Sequence, residues 1–370
     1  MLEAAAIIGC PIDPDVLQRV AGSAAADVED ALASGMLLDH GRTLTFRHEL
    51  AREAILSAIP ASRRVTLFRR VLQVLETIAG VPRDLARLAH YAEAAGNQAA
   101  VLRYAPAAAR RAARFQAHRE EADQYARALR FAASLPPVQR AELLEAWSYA
   151  CYLTAQIEQA LTAREAALQI WNTLGDARKE GENRCHLANL LWAQARIVDD
   201  EREAEAAVTL MEQFPAGPEL AMAYGTLARL RGATRDAAAA IFMGERAIAL
   251  AERAGSTETL IDALITVGEA RLALGEIDGG QQQVEASMRL AIDAGLDGLT
   301  ARAHQSGPRV CRVRPVARGD TASRTRHWVL HRPRSRPPPL PHDGLARSLS
   351  SQTGQLGRRT KSGELGAECA

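Results

Sequence analysis

The sequence predicts an all-α protein whose helices recur as a solenoid, and three observations carry that prediction. Aromatic residues make up only 4% of the chain, while Ala, Leu, Glu and Arg, the strong helix formers, crowd its first 300 residues. Similar paired helical segments return at intervals of about 40 residues, longer than the roughly 34 of the commonest helical repeats. Apolar periodicity at three and four residues persists to about Gln305 and then stops.

The first 60 residues form a small module. Asp13-Pro14 sets an N-cap acceptor before a proline whose missing N–H costs nothing at the first helical position, opening a helix through Val20. A second helix covers about Ala26 to Ser34 and stops at Gly35. Met36-Leu37-Leu38 and Leu44-Thr45-Phe46 flank Asp39-His40-Gly41-Arg42, a polar, glycine-containing link that suits a hairpin. Helix, helix, hairpin, helix is the order of a winged helix, expected over residues 1–60. Such modules often read DNA, but this one has no basic recognition helix, so a rigid lid is the expectation.

Linking helices are expected over residues 61–135. The first is capped by Ser62 and carries Val65, Phe68, Leu72, Leu75 and Ala79 as one apolar stripe. Helical repeats follow over residues 136–304. Ala150, Ala188, Ala228 and Gly268 stand 38, 40 and 40 positions apart, and Ala166, Ala206, Ala247 and Ala286 stand 40, 41 and 39 apart. Paired helices approach closely only where a side chain is little more than a methyl, so these small residues are read as the contact points of a tetratricopeptide-like α-solenoid. Gly175-Asp176, Phe214 to Pro218, Gly255-Ser256 and Ala294-Gly295 fall between the units as turns.

Residues 305–370 form a basic tail, expected to be disordered. Residues 1–300 carry a net charge of −9 and residues 301–370 one of +10, and seven of the 16 prolines follow residue 305. Two readings of this break stand. One is a native Arg/Pro-rich tail; the other is a change of reading frame near Gln305. Shifting the frame by one base allows IGYCT over His327 to Arg332 and the helical string MTAWLARSHLKLGNW over His342 to Gly357, and these recovered strings favour the frame change.

Composition also excludes. Five cysteines form no CxxC pair, and Cys10, Cys151 and Cys185 lie in apolar patterns where a small buried thiol is usual. No disulfide framework, zinc site or membrane span is expected, and a reducing cytoplasm is. Lys179 and Lys361 are the only lysines and neither follows a glycine, so these residues contain no phosphate loop of the Gly-Lys-Ser/Thr type.

Three stretches, LEAAAIIGCPIDPDVLQRVAG, FRHELAREAILSAIPASRRVTLFRRVLQVLE and AEAAGNQAAVLRYAPAAARRAARFQAHREEADQYARALRFA, together resemble the large ATP-binding regulators of the LuxR family, the MalT-like transcriptional regulators. The resemblance covers about residues 2–304 and continues in the shifted frame. It implies a P-loop ATPase before a winged helix, then a tetratricopeptide-like sensor, then a DNA-binding helix-turn-helix. These residues correspond to the middle of that order. The expected function is therefore a sensor and protein-interaction region, with a protein segment or a small-molecule inducer on the solenoid. ATP is expected for the full-length family and no cofactor for this chain. DNA would be bound only through a domain not found in these residues, and self-association through the ends of the solenoid is expected. The alternatives are the repeat region of an ATPase-linked nucleotide cyclase regulator, and nonspecific nucleic-acid binding by the Arg-rich tail.

The resemblance also singles out His48, because a winged-helix histidine in related signal-transduction ATPases touches the nucleotide's phosphates. Its alternative role is to cap or pack the end of the hairpin. Arg63-Arg64, Arg69-Arg70 and Arg110-Arg111 suit solvated helix faces as well as a phosphate grip. His118-Arg119-Glu120-Glu121 lacks metalloprotease spacing, and Trp147, Trp171 and Trp192 read as core. No catalytic constellation emerges, and the chain is not expected to be an enzyme. Sequencing the locus should show a one-base change near the Gln305 codon; a gene with no family-like continuation in either alternative frame would refute the frame change.

Overall fold

The computed structural model describes residues 1–22, 25–78 and 84–306; residues 307–370, on which both readings of the tail fall, and Ala79 lie outside them. The chain divides into two compact units, Met1–Leu174 and Gly175–Ala370. Among the described residues the fold is all-α apart from one two-stranded hairpin.

The first unit opens with α1 (Leu2–Ile8), α2 (Pro14–Ala21) and α3 (Ala25–Ala33), then the hairpin of β1 (Leu37–Asp39) and β2 (Leu44–Phe46), then α4 (Glu49–Ala58). Asp13 caps α2 by accepting from the Asp15 and Val16 N–H groups at 2.8 and 3.3 Å, and Gly22 closes the helix in the left-handed region. In the hairpin Leu37 pairs with Phe46 and Asp39 with Leu44, while Gly41 supplies the positive φ of the turn. Ile12 bridges to Leu44 and thereby ties the strand to the start of α2.

Next come α5 (Ala61–Thr77), α6 (Leu85–Ala94), α7 (Gln98–Arg114), α8 (His118–Leu129), α9 (Pro137–Leu153) and α10 (Ile157–Leu174). One hydrophobic core takes in Leu17, Leu37 and Leu44 together with Val71, Leu72, Tyr91 and Val101, so side chains from both sides of residue 60 are buried together. Ser62 is not the cap expected of it. Pro60 holds that position, and Ser62 lies inside the first turn of α5. The buried stripe of α5 is centred on Val71 and Leu72, leaving Val65 at the surface.

The second unit is α11 (Ala177–Ala193), α12 (Ile197–Met211), α13 (Pro218–Ala233), α14 (Ala237–Ala254), α15 (Thr257–Leu274), α16 (Ile277–Asp293) and α17 (Asp297–Ser306). Within it, α11 packs on α12, α13 on α14 and α15 on α16, and the first helices of successive pairs also pack on one another. The turns expected at Gly175, Phe214 to Pro218, Gly255 and Gly295 all separate helices.

The period is stricter than the sequence reading made it. Second helices begin at Ile157, Ile197, Ala237 and Ile277, each 40 residues after the last. In that register Ser148, Ala188, Ala228 and Gly268 are equivalent and buried on the first helices, and Ala167, Ala207, Ala247 and Ser287 on the second. Ala166, by contrast, is exposed, and Ala206 and Ala286 are half-buried. The expected contact set was therefore one residue off in three of its second helices, and Ala150, though buried, takes the wrong place in the first. Adjacent small residues look alike in sequence; the facing helix chooses between them.

At the seams the backbones meet. A Cβ on Gly280 would stand 2.8 Å from the Gly268 carbonyl oxygen, and one on Gly268 would stand 3.2 Å from that of Gly280. In the α9 and α10 pair, Ser148 Oγ donates to the Ala160 carbonyl at 2.8 Å, the same two positions earlier in the chain. The turn within each pair also repeats: Ala155, Ala195, Arg235 and Gly275 adopt positive φ of 61°, 59°, 72° and 89°.

One position breaks the rule. Ala160, Ala240 and Gly280 are equivalent to Asp200, which is 1% exposed, with neither carboxylate oxygen in a well-formed hydrogen bond. Burial pushes this carboxyl up to about 6; the Glu201 N–H offsets part of the rise, and the Glu201 and Asp199 charges add to it. A carboxyl whose folded value lies above its unfolded value of about 3.9 stabilises the fold at low pH, and that contribution is lost as pH rises through the folded value. Asp200→Ala should accordingly stabilise the chain by about 1–2 kcal/mol at pH 7.5 and by much less at pH 4. Thermal unfolding followed across that pH range checks it, and an equal effect at both ends would show that ionisation is not the cause.

Candidate functional site

In the second unit the first helices of successive pairs carry polar residues, with Met222 as the apolar exception, at one recurring face. Positions spaced by four and three residues give Glu182, His186 and Asn189 on α11, Met222, Thr226 and Arg229 on α13, and Asp262, Thr266 and Glu269 on α15; α17 adds Arg302 and Ser306. Each set lies 40 residues after the last, so the shared period that packs the helices also lines up their polar side chains. These residues are half-buried to buried, at the contact between one first helix and the next.

Hydrogen bonds link them. Arg229 Nη2 donates to Asn189 Oδ1. Arg302 donates to Asp262, to Thr266 Oγ1 at 2.8 Å and to Glu269 Oε2 at 3.2 Å, and Ser306 Oγ donates to Glu269 Oε1 at 2.5 Å. Burial alone would raise the Asp262 carboxyl, but the Arg302 charge and then that of Arg229 outweigh it and hold the group below its ordinary value. Arg229 Nε is buried and has no hydrogen-bond partner among the described residues. A buried donor left unmatched costs about 1–3 kcal/mol, which the Asn189 contact and the nearby Asp262 charge help to offset. A second ladder, Arg231 with Glu205 at 2.5 Å and Arg271 with Glu245 at 2.8 Å, repeats at the same period with more exposed carboxylates, and such surface pairs contribute about 0–1 kcal/mol each.

The residues singled out from sequence do not converge. His48 is exposed at the N-cap of α4, in extended backbone, and its side chain makes no capping hydrogen bond. Arg63 pairs with Glu3 at 2.5 Å, and Arg64 donates to the Leu56 and Ile59 carbonyls at 2.7 and 3.3 Å, closing the end of α4. His118 lies 2.9 Å from Glu121. Trp171 is core and donates to Glu145 Oε1 at 2.5 Å, whereas Trp192, expected in the core, is 39% exposed. Cys10 is likewise exposed, because Gly9 ends α1 just before it; Cys151 and Cys185 are buried as expected. Among the described residues no group of three or more His, Cys, Asp or Glu could hold a metal ion, and no helix is long and apolar enough to cross a membrane. The polar stripe was not foreseen. Its signal was present in the spacing of Asn189, Arg229 and Glu269 and of Asp262 and Arg302, which becomes visible only in the 40-residue register.

No protein-family model matches the chain, and no curated protein matches it in sequence. Among solved structures it is similar to a Rap protein complexed with competence and sporulation factor, at 14% identity over 69% of this chain and 73% of that one, with a TM-score of 0.49. It is also similar to a signal transduction ATPase with numerous domains and a tetratricopeptide repeat sensor from Pyrococcus horikoshii, at 13% identity over 84% of this chain and 59% of that one, TM-score 0.38. A third is a putative kinesin light chain from Podosopora anserina with nearly identical TPR-like repeats, at 16% identity over 52% and 96%, TM-score 0.41. The tetratricopeptide-like repeat described above rests on the chain's own paired helices and period.

Asp262 is the hinge of the ion pairs that dock α17. Asp262→Asn should raise amide hydrogen exchange in α17 by about tenfold or more at pH 7, the loss of a half-buried charge pair being worth roughly 1–3 kcal/mol. A carboxyl held below its unfolded value contributes stability above pH ~4 that is lost as pH falls through the lower folded value, so the gap between wild type and variant should close under acid. Equal exchange in the two proteins at pH 7 would show that Asp262 does not hold α17.

Proposed function

We propose that this chain is the sensor and protein-interaction region of an ATP-dependent LuxR-type transcriptional regulator, holding a partner's peptide segment or an inducer along the polar stripe of α11, α13, α15 and α17. The observation that carries the binding role is the alignment of half-buried polar side chains of both signs along one face of successive first helices, with Arg229 fixed on Asn189 and Arg302 on Asp262. A carbonyl or carboxylate from an extended segment accepts from the half-buried Arg229 guanidinium, and the flanking Asp262, Glu269 and Arg302 give the stripe charges of both signs with which to select a sequence. Support for the regulator reading is the helix, helix, hairpin, helix order ahead of the helical repeats, together with the three family-like stretches of sequence. In this reading ATP and DNA are handled by other domains of the regulator, His48 is the winged-helix residue nearest to nucleotide chemistry, and residues 1–60 act as a lid.

The test is selection of peptides from a displayed random library against the full chain, followed by affinity measurement with labelled peptides. Arg229→Ala should weaken selected peptides tenfold or more, about 1.4 kcal/mol, whereas Arg231→Ala in the exposed ladder should leave them within about twofold. Peptides that bind Arg229→Ala as tightly as wild type would remove the stripe from the binding role.

A further inference from the structure

The first unit carries a shallow, open groove of about 440 Å³ that lies outside the polar stripe and is not used by the proposed function. It lies where the end of α1 meets α4, α6 and α8. Three guanidinium groups reach it, Arg52 from α4, Arg87 from α6 and Arg127 from α8, against one carboxylate, Glu120.

The three arginines differ in how they are held. Arg52 is paired with Glu49, and Arg127 with Glu93 at 2.9 Å, so each is already compensated by a carboxylate outside the lining. Glu120 accepts from Gln124 Nε2 at 2.6 Å. Arg87 is different. Its Nη2 donates only to neutral acceptors, the Ile8 carbonyl at 3.0 Å and Tyr91 Oη at 2.9 Å, and it pairs with no carboxylate among the described residues. Tyr91 is 3% exposed and itself donates to the Ile8 carbonyl at 2.6 Å, so the guanidinium is oriented by a buried, rigid support. Burial of the His90 ring, and then the nearby Arg127 charge, hold His90 below the ordinary imidazole range, while the Glu93 charge offsets part of the shift. Cys10, exposed, stands on the same lining.

We propose that this open groove binds a small organic anion whose carboxylate or phosphate group is received by Arg87, with Arg52 and Arg127 flanking it. A fixed guanidinium with neutral partners keeps N–H donors and a full charge for an anion, and both anion types match its planar fork.

Cys10 reports on the site. Its sulfur displaces iodide from iodoacetate or iodoacetamide, forming an S–C bond as the C–I bond breaks and the thiol proton passes to solvent. The two reagents differ chiefly in charge, so the ratio of their rates senses the local field. Cys151 and Cys185 are buried, and burial pushes their thiols up to about 11 and about 12, so they remain unreactive at neutral pH. Mass spectrometry of peptides containing Cys10 follows the reaction in the full chain.

At low ionic strength the iodoacetate-to-iodoacetamide ratio at Cys10 should be about fivefold or more above that in the urea-unfolded chain. It should fall toward the unfolded value in Arg87→Gln and persist in Arg87→Lys. Millimolar citrate or inorganic phosphate, matched in ionic strength with sodium chloride, should slow both reagents. Protection by citrate alone assigns a carboxylate ligand, and protection by phosphate alone assigns a phosphate. Equal ratios in native and unfolded chains, or a ratio untouched by Arg87→Gln in a variant of unchanged far-UV dichroism, would overturn the proposal. Should Arg87→Gln fail to fold, anion protection in the wild-type chain decides, and its absence overturns the proposal as well.

Discussion

The repeats depend on one constraint: the two helices of a pair come within backbone contact at a single point, and whatever sits there must be small. At Gly268 and Gly280 even a methyl would meet a carbonyl oxygen, and in the α9 and α10 pair the Ser148 hydroxyl uses the approach to reach the Ala160 carbonyl. Forcing a larger side chain into such a seam costs about 1–3 kcal/mol, because close-packed helices cannot yield separately. The 40-residue spacing follows from it, since a helix, its turn and the returning helix must bring the next small residue to the same height. So does the polar stripe, whose members are aligned only because the seams are.

Asp200 shows how much slack that constraint leaves. It occupies a seam position that elsewhere takes Ala or Gly, near the start of α12, where the helix dipole favours negative charge. The dipole helps less than burial hurts, so the carboxyl resists ionisation. The seam tolerates the residue because Asp exceeds Ala by a short planar group, and what it loses is electrostatic rather than steric.

Parts of this architecture were legible from the residues because their signals are local. Asp13-Pro14 marks a helix start by the chemistry of one cap, and the polar link at Gly41 marks a hairpin by the backbone angle it requires. The repeat period was legible for a different reason, since self-similarity needs no knowledge of contacts. What stayed hidden depends on the facing surface. Ala166 and Ala167 have the same composition and propensity, and only the opposite helix distinguishes the exposed one from the buried one. Ser62 has the chemistry of a cap, but Pro60 had already begun the turn. Trp192 lies in an apolar run yet is partly exposed, and Cys10 is exposed because α1 ends at Ile8 and Gly9 turns the chain before it. The candidate site was hidden too, because Asn189 meets Arg229, and Asp262 meets Arg302, across distances of 40 residues that no single-helix pattern contains.

The turns between paired helices carry a last consequence. Ala155, Ala195 and Arg235 hold a positive φ that glycine adopts freely and that costs other residues of the order of 1 kcal/mol, the same sign of φ that Gly275 takes at the equivalent corner. The bend is thus imposed by the helices it joins and is indifferent to the letter it is written in. A lineage can therefore exchange residues at these corners without altering the backbone, while the seams stay fixed. Sequence consensus then erodes faster than shape, and descent is better traced in such an array through the spacing of its smallest residues than through its turns.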